Sequence, residues 1–279
     1  MSAALPVAVG ATAGGDAGRR GRGGVRPWLG AVVPVLLLTA WWATTRGDGY
    51  RLIPSPGEVV GAIADLAVGQ EGDAFSGRLA AHIVASMQRV YGAFLLACLA
   101  ALPLGMLIGR LRLASALLDP LLQLLRPIPV TAWLPLSMIL FGLGAKSAFF
   151  LVALGAFFPI LVNTIFAVRS VEPRLFEAAA MLGVSATRMF PVVVLPAVLP
   201  GIFTGLRLGL GFAWVVIVVG EMTGVQTGLG AMIMDGRQLS RTDVVVAGMA
   251  VIGLLGFLSD LAVLSLGRRL LRWSPSHAG

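Results

Sequence analysis

Long apolar runs separated by short polar interruptions set the pattern of this chain. Six runs read as membrane-spanning helices: Trp28 to Thr45, Val84 to Gly109, Leu117 to Leu143, Ala148 to Val168, Leu199 to Met222 and Val244 to Leu266. Pro120, Pro127, Pro129 and Pro135 interrupt the third run and predict kinks or a broken helix. Pro159 predicts a break in the fourth. Such breaks are tolerated in a membrane only where neighbouring protein satisfies the freed backbone. The fold class is therefore an all-α polytopic membrane protein. Residues 1–27 are rich in Gly, Ala and Arg without periodicity and read as a disordered cytoplasmic tail. Residues 28–45 form the first transmembrane helix and 46–83 an extracytoplasmic segment. Residues 84–267 form a core of five transmembrane helices, and 268–279 a cytoplasmic C-terminal tail.

Two polar stretches carry further elements. In the extracytoplasmic segment, Pro54-Ser55-Pro56 turns the chain, and Ser55 or Gly57 opens a weak amphipathic helix. Its apolar face holds Val59, Val60, Ile63, Leu66 and Ala67. Asp48, Glu58, Asp65, Glu71 and Asp73 make this stretch acidic, as suits a segment lying along the membrane surface. Residues 169–198 form a polar island between the fourth and fifth runs. Pro173 suits a first helical position, with Glu172 supplying negative charge at the helix start. Leu175 to Leu182 is helix-forming, and Gly183 fits the position just past a helix end. Ser185 can cap a second short helix through Phe190, limited by Pro191. The island thus reads as a helix-turn-helix outside the membrane. Ala178, Ala179 and Ala180 keep one surface thin, and Glu177 and Arg188 offer charges at its edges. A polar loop, 223–243, precedes the last run.

Composition supports a membrane chain. Hydrophobic residues make up 57% and charged residues 12%, about half the charge of soluble domains. Mean hydropathy is +0.91. The net charge of +8 comes from 21 basic residues, all arginine except Lys146, against 13 acids. In a soluble protein this balance would suggest nucleic acid. Here cytoplasmic loops account for it, and no nucleic-acid partner is inferred. The charges also orient the chain. Arg19, Arg20, Arg22, Arg26, Arg110, Arg112, Arg169, Arg174, Arg188, Arg268, Arg269 and Arg272 fall on one side. Arg46, Arg51, Arg78, Lys146, Arg237 and Arg241 fall on the other, beside most of the loop acids. The bias puts both termini, and the island, in the cytoplasm.

Candidate chemistry is sparse. Cys98 lies in an apolar run and reads as inert packing. No disulfide within the chain, no zinc spacing and no GxxxxGK[ST] phosphate loop occur. No nucleophile–base pair or metal set is visible, so neither catalysis nor a cofactor is expected. On the fifth run, Gly201, Gly205 and Gly209 form a stripe suited to tight helix contact. Arg207, Trp214 and Glu221 form a second stripe nearly opposite, at about 100° per residue. These three either border a translocation path or hold the helix ends, with Arg207 reaching inner headgroups and Glu221 the outer loop. Arg126 presents charge to an anion or anchors a cytoplasmic end. Asn163 is a polar path residue or a helix–helix hydrogen bond. Asp260 reads as a structural ion-pair member, with Arg268 and Arg269 two turns on, and His82 as a surface or interface residue. Gly105 and Gly109 form a GxxxG on the second run.

The island also carries a spaced pattern. Glu177-Ala178-Ala179, three residues, Gly183, nine residues, then Val193-x-Leu195-Pro196 resembles the EAA signature of ABC importer permeases, EAA-x3-G-x9-I-x-LP, with Val193 in place of Ile. Residues 53–60, 117–136, 153–164, 204–222 and 241–260 are similar to the nitrate/sulfonate/taurine-type permeases, and the likeness covers 50–273. The resemblance implies a type I importer permease acting as a homodimer in the inner membrane. It implies that Glu177, Ala178, Ala179, Gly183, Leu195 and Pro196 serve coupling to a cytoplasmic ATP-binding cassette subunit. An extracytoplasmic substrate-binding protein would deliver a small anion such as a sulfonate, taurine or nitrate, and ATP hydrolysis would lie in the partner subunit. The rival classes are a stand-alone secondary transporter or channel, which would show inverted repeats, and an intramembrane enzyme, which lacks a constellation.

Overall fold

The computed structural model describes residues 29–45, 53–69, 72 and 75–271. The expectations for residues 1–27, for Asp48, Glu71 and Asp73, and for Arg272 lie outside the described residues. Among the described residues the chain is helical throughout, without a strand. It divides after Thr44 into two units, each described by itself. The first holds α1 (Leu29–Thr44). Its 16 residues span about 24 Å, short of the roughly 30 Å of a hydrocarbon core.

The second unit begins with α2 (Pro56–Val68) and α3 (Leu79–Arg110), followed by α4 (Arg112–Leu125). A 3₁₀ turn (Val130–Trp133) leads into α5 (Leu134–Phe141). Next come α6 (Ala145–Arg169), α7 (Pro173–Met181) and α8 (Ala186–Met189). A π-helical turn (Phe190–Val194) joins α8 to α9 (Leu195–Glu221). The unit ends with α10 (Leu229–Gln238) and α11 (Thr242–Leu270). Among the described residues, four helices are long and apolar enough to cross a membrane: α3, α6, the continuous α8–α9 segment and α11. The pair α4 and Val130–Phe141, bent by 89°, makes a fifth if counted as one span.

The centre of this unit is α6, packed between α3 and α9. Both flanking helices meet it with glycines. A Cβ at Gly105 would strike the Thr164 side chain, and one at Gly109 that of Val168. On α9, Gly201 faces Ala167, Gly205 faces Asn163 and Ile160, and Gly209 faces Ile160 and the Ala156 carbonyl. The two predicted small-residue stripes therefore grip two different faces of one helix. In lipid, where apolar burial gives little drive, such close approach gains van der Waals contact for the backbones. Pro159 does not break α6, contrary to the sequence expectation; the helix runs through it. Its neighbours hold it on two sides, and Asn163 Nδ2 donates to the Pro159 carbonyl at 2.8 Å.

Other elements also differ from their sequence outlines. Ser55 opens α2 through a capping box: Glu58 N–H donates to Ser55 Oγ at 3.3 Å, and Ser55 N–H to Glu58 Oε2 at 2.6 Å. Its buried face is Val59, Ala62, Asp65 and Leu66. Val60 and Ala67, expected on that face, are exposed. The shift arises because α2 packs on α11 and α3 and buries Asp65, which accepts 2.7 Å from Ser76 Oγ. The loop 223–243 contains α10, whose Leu229, Ala231, Met232 and Ile233 are buried. Its polar neighbours Asp235 and Arg237 hide that pattern in the sequence.

Gly205→Ala places a methyl against the α6 backbone at Ile160, whereas Gly211→Ala meets nothing within 4 Å. In detergent unfolding, Gly205→Ala is expected to destabilise by about 1–3 kcal/mol and Gly211→Ala to be neutral or stabilising by up to about 1 kcal/mol.

Candidate functional site

Three places hold the candidate residues. The first is the turn between α6 and α9. Glu172 precedes α7 with Pro173 at its first position. Past the helix end at Leu182, Gly183 adopts φ 77. Val184 N–H donates to Ala179 O at 3.0 Å, and Gly183 N–H to Ala180 O at 3.0 Å. This pair of bonds is a Schellman motif, which needs a left-handed residue at Gly183. Ser185 occupies the cap of α8 without a side-chain cap bond; its carbonyl accepts from Arg188 and Met189 N–H. The expected stop at Pro191 does not occur. A π turn shifts the pattern, with Leu195 N–H donating to Phe190 O, and the chain runs on into α9. Leu195 and Pro196 are the first residues of α9.

Burial divides this turn. Phe176 and Phe190 pack on a core of Ala167, Val194, Val198 and Ile202. Arg110 sits over the Phe190 ring, 5.7 Å from its centroid. Ala179 is buried, while Glu177, Ala178, Ala180 and Arg188 are exposed. Met181 and Leu182 are 88% and 84% exposed, so two large apolar side chains stand at the tip. Neither Glu177 nor Arg188 forms an ion pair among the described residues.

The second place is the break between α4 and Val130. Pro127 and Pro129 lack N–H groups and keep the chain from continuing α4. A cavity of about 370 Å³ opens there, lined by Arg126, Pro129, Phe158, Pro159, Asn163 and Phe212 among others. Arg126 and Asn163, singled out separately in the sequence, thus share one cavity. A smaller cavity of about 240 Å³ is also lined by Arg126 and includes Asp119 and Arg169. Arg169 Nη2 donates to Asp119 Oδ2 at 2.7 Å and to Ser115 Oγ at 2.8 Å. Ser115 Oγ donates to the same Asp119 oxygen at 2.7 Å.

The third place is the face of α9 opposite its glycines. Arg207 does not reach toward headgroups; it makes a two-point bond with Asp260 of α11, at 2.8 and 2.7 Å. Asp260 therefore pairs across helices rather than with Arg268 or Arg269. Trp214 is 3% exposed, and its Nε1–H donates to Ser259 Oγ at 3.0 Å. Tyr91 meets Trp214 edge-on, with its hydroxyl 2.8 Å from the same Ser259 oxygen. Glu221 is 1% exposed and lies within the protein rather than in the outer loop. It accepts from Arg89 at 2.5 Å, from Ser86 at 2.7 Å and from Gly230 N–H at 2.9 Å. The carboxylate thus sits at the positive end of α10. Side chains at Gly228 or Gly230 would collide with Glu221. His82 is buried rather than at the surface, with Nδ1 2.8 Å from Gly228 O. The sequence offered one signal for this cluster: His82, Ser86 and Arg89 lie at helical spacing on one face. Ser115 and Asp119 share the same kind of spacing.

The comparisons with known proteins fit this architecture. A family model described as binding-protein-dependent transport system inner membrane component matches residues 101–272. This chain belongs to that family. The permease is 37% identical over 255 residues to the putative aliphatic sulfonates transport permease of Bacillus subtilis (strain 168), covering 90% of each chain. It is 37% identical over 240 residues to the taurine transport system permease of Escherichia coli (strain K12), covering 85% of this chain and 86% of that one. With the nitrate import permease of Synechocystis sp. it shares 33% over 239 residues, covering 85% of each. The resemblance to nitrate/sulfonate/taurine-type ABC permeases therefore holds. Among solved structures, an inward-facing methionine ABC transporter, MetNI, matches with TM-score 0.57 at 19% identity. The match covers 70% of this chain and 94% of that chain. It shows the fold of the permease. The family consists of multi-pass inner-membrane transport components, and the relatives are permease subunits rather than enzymes.

Removing one partner of the buried Arg89–Glu221 pair strands the other charge. Arg89→Gln and Glu221→Gln are each expected to destabilise the permease by about 3–5 kcal/mol. Arg89→Met with Glu221→Met is expected to recover part of that loss, measured by thermal unfolding in one detergent.

Proposed function

We propose that this chain is the transmembrane permease of an ABC importer for a small oxyanion, a sulfonate, taurine or nitrate. It works as a homodimer with both termini in the cytoplasm and six spans in each chain, residues 28–45 the first and 84–267 holding the other five. An extracytoplasmic binding protein delivers the ligand. ATP hydrolysis takes place in a separate cytoplasmic subunit, and the permease carries no cofactor. The loop 169–198 is the coupling element, with Glu177, Ala178, Ala179, Gly183, Leu195 and Pro196 in the roles that their family pattern implies.

The observation that carries this reading is the turn at Gly183. It presents Met181 and Leu182 to solvent beside exposed, unpaired Glu177 and Arg188. Two exposed large apolar side chains on a rigid Schellman turn suit a partner's groove. The base of the turn is fixed to α6 and α9 through Phe176 and Phe190, so movement of the tip would move those helices. For the path, Arg126 and Asn163 face the cavity at the helix break, while Arg207, Trp214 and Glu221 hold its walls through α11 and α3. The relatives' names, sulfonate, taurine and nitrate, share an oxyanion group, which fits a single arginine facing the cavity.

The test is Gly183→Val. A β-branched residue at φ 77 costs roughly 1–2 kcal/mol in turn geometry, and open space around the position limits other damage. In proteoliposomes holding permease, ATPase and binding protein, ATP-driven uptake is expected to fall by about tenfold while the permease elutes as the parent does and loses no more than about 2 kcal/mol of stability. Uptake at the parent rate would remove the coupling role from this turn.

A further inference from the structure

We propose that Arg126 is the oxyanion-selecting residue between two successive cavities, and that Asp119 competes with the passing anion for Arg169. The inference rests on the permease reading only in placing the cavities on the transport path.

Arg126 and Phe158 line both cavities, so they form the shared wall. In the larger cavity Arg126 is the single charged residue, with Asn163 the other strongly polar side chain. Arg126 forms no ion pair among the described residues. The smaller cavity holds Arg126 together with Arg169 and Asp119. There Arg169 is already occupied by Asp119 and Ser115. An entering anion thus meets one free guanidinium, then a second that carries its own carboxylate.

This order suits passage rather than storage. A path must bind its ion well enough to admit it and weakly enough to release it. Arg126 is exposed, which keeps its attraction modest. Its planar fork matches the oxygens of a nitrate or sulfonate group better than a lysine would. At Arg169 the anion must displace Asp119, a built-in substitute with the same carboxylate-type oxygens. Release is then completed when Asp119 returns to Arg169, so a second cation does not become a trap.

Val162 also lines both cavities, so Val162→Cys places a reporter thiol beside Arg126. The full complex is treated with sulfonatoethyl methanethiosulfonate or with its trimethylammonium counterpart, each modification rate is divided by that of the same reagent with a free thiol in solution, and the two normalised rates are compared. The parent chain, whose lone Cys98 is buried, gives the background. On that scale the anionic reagent is expected to react faster. One unit charge about 6 Å away in a water-like dielectric changes each rate by about threefold in opposite senses. Arg126→Gln should therefore lower the anion-to-cation ratio by about tenfold, whereas Arg126→Lys should retain most of it. Asp119→Asn, which frees Arg169, should raise the ratio. Sodium nitrate and sodium methanesulfonate, each against chloride at equal ionic strength, should slow the anionic reagent unless Arg126 is Gln; the stronger competitor names the preferred oxyanion. Equal reagent rates, an equal fall in Arg126→Lys and Arg126→Gln, or no competition by either salt would overturn the role of Arg126. An unchanged ratio in Asp119→Asn would overturn the competition at Arg169. These rates need neither ATP nor binding protein, so failed uptake with an intact charge ratio would count against the transport reading alone.

Discussion

Close packing on both sides of α6 is the constraint on which the rest of the second unit depends. A helix in lipid gains little from hiding apolar side chains, so association rests on contact area and on polar bonds between helices. Gly105 and Gly109 of α3 and Gly201, Gly205 and Gly209 of α9 bring their backbones against α6 from two directions. Once α6 is held this way, a proline inside it need not break it, and Asn163 is fixed at the cavity wall. The same grip determines where the other face of α9 points. Arg207, Trp214 and Glu221 are turned away from α6, toward α11 and the first turns of α3.

That second face shows how charge is tolerated at these depths. Each ionised group on it has a specific opposite partner: Arg207 with Asp260, and Glu221 with Arg89. The pairs differ in environment. Arg207 and Asp260 remain 40% and 37% exposed in their side chains, so their attraction is screened. Glu221 has 0% side-chain exposure and needs more than one cation to offset its lost hydration. It has Ser86, the Gly230 N–H and the amino end of α10 as well. The short helix α10 thus exists partly as a counter-charge, and the glycines at 228 and 230 leave room for the carboxylate to reach it.

Much of the fold was legible in the sequence because its signals are local. Apolar runs of about 20 residues placed α3, α6, α9 and α11, the small-residue stripes named the packing faces, and Gly183 with Pro173 outlined the turn. What escaped needed a partner distant in the chain. Asp260 and Arg207 lie 53 positions apart, and Glu221 and Arg89 lie 132 apart, so the readings by nearest charge or nearest headgroup had no way to find them. Asp119 and Arg169 were missed for the same reason. Pro191 misled differently: a local stop signal was overridden by a π turn, which carries the hydrogen bond from Leu195 back to Phe190. Arg126 and Asn163 were each legible as polar oddities, but only the fold brings them to one cavity.

The π turn has a mechanical consequence. Had Pro191 ended a separate helix, the exposed tip at Met181 and Leu182 would connect to α9 through a loose joint. Instead Ala186 to Glu221 forms one apolar helical segment of 36 residues, and only the Gly183 turn interrupts the route from tip to α9. Phe190, at the start of the π turn, is also held by Arg110 from the end of α3. A displacement of the tip therefore acts on α9 and α3 together, the two helices whose glycines clasp α6. The α4–α5 pair, bent by 89° at Pro127 and Pro129, packs against the same helices, α4 on α3 and α5 on α6. The cavity at Arg126 lies where the break in that pair meets α6 and α9, which line it with Phe158, Asn163 and Phe212.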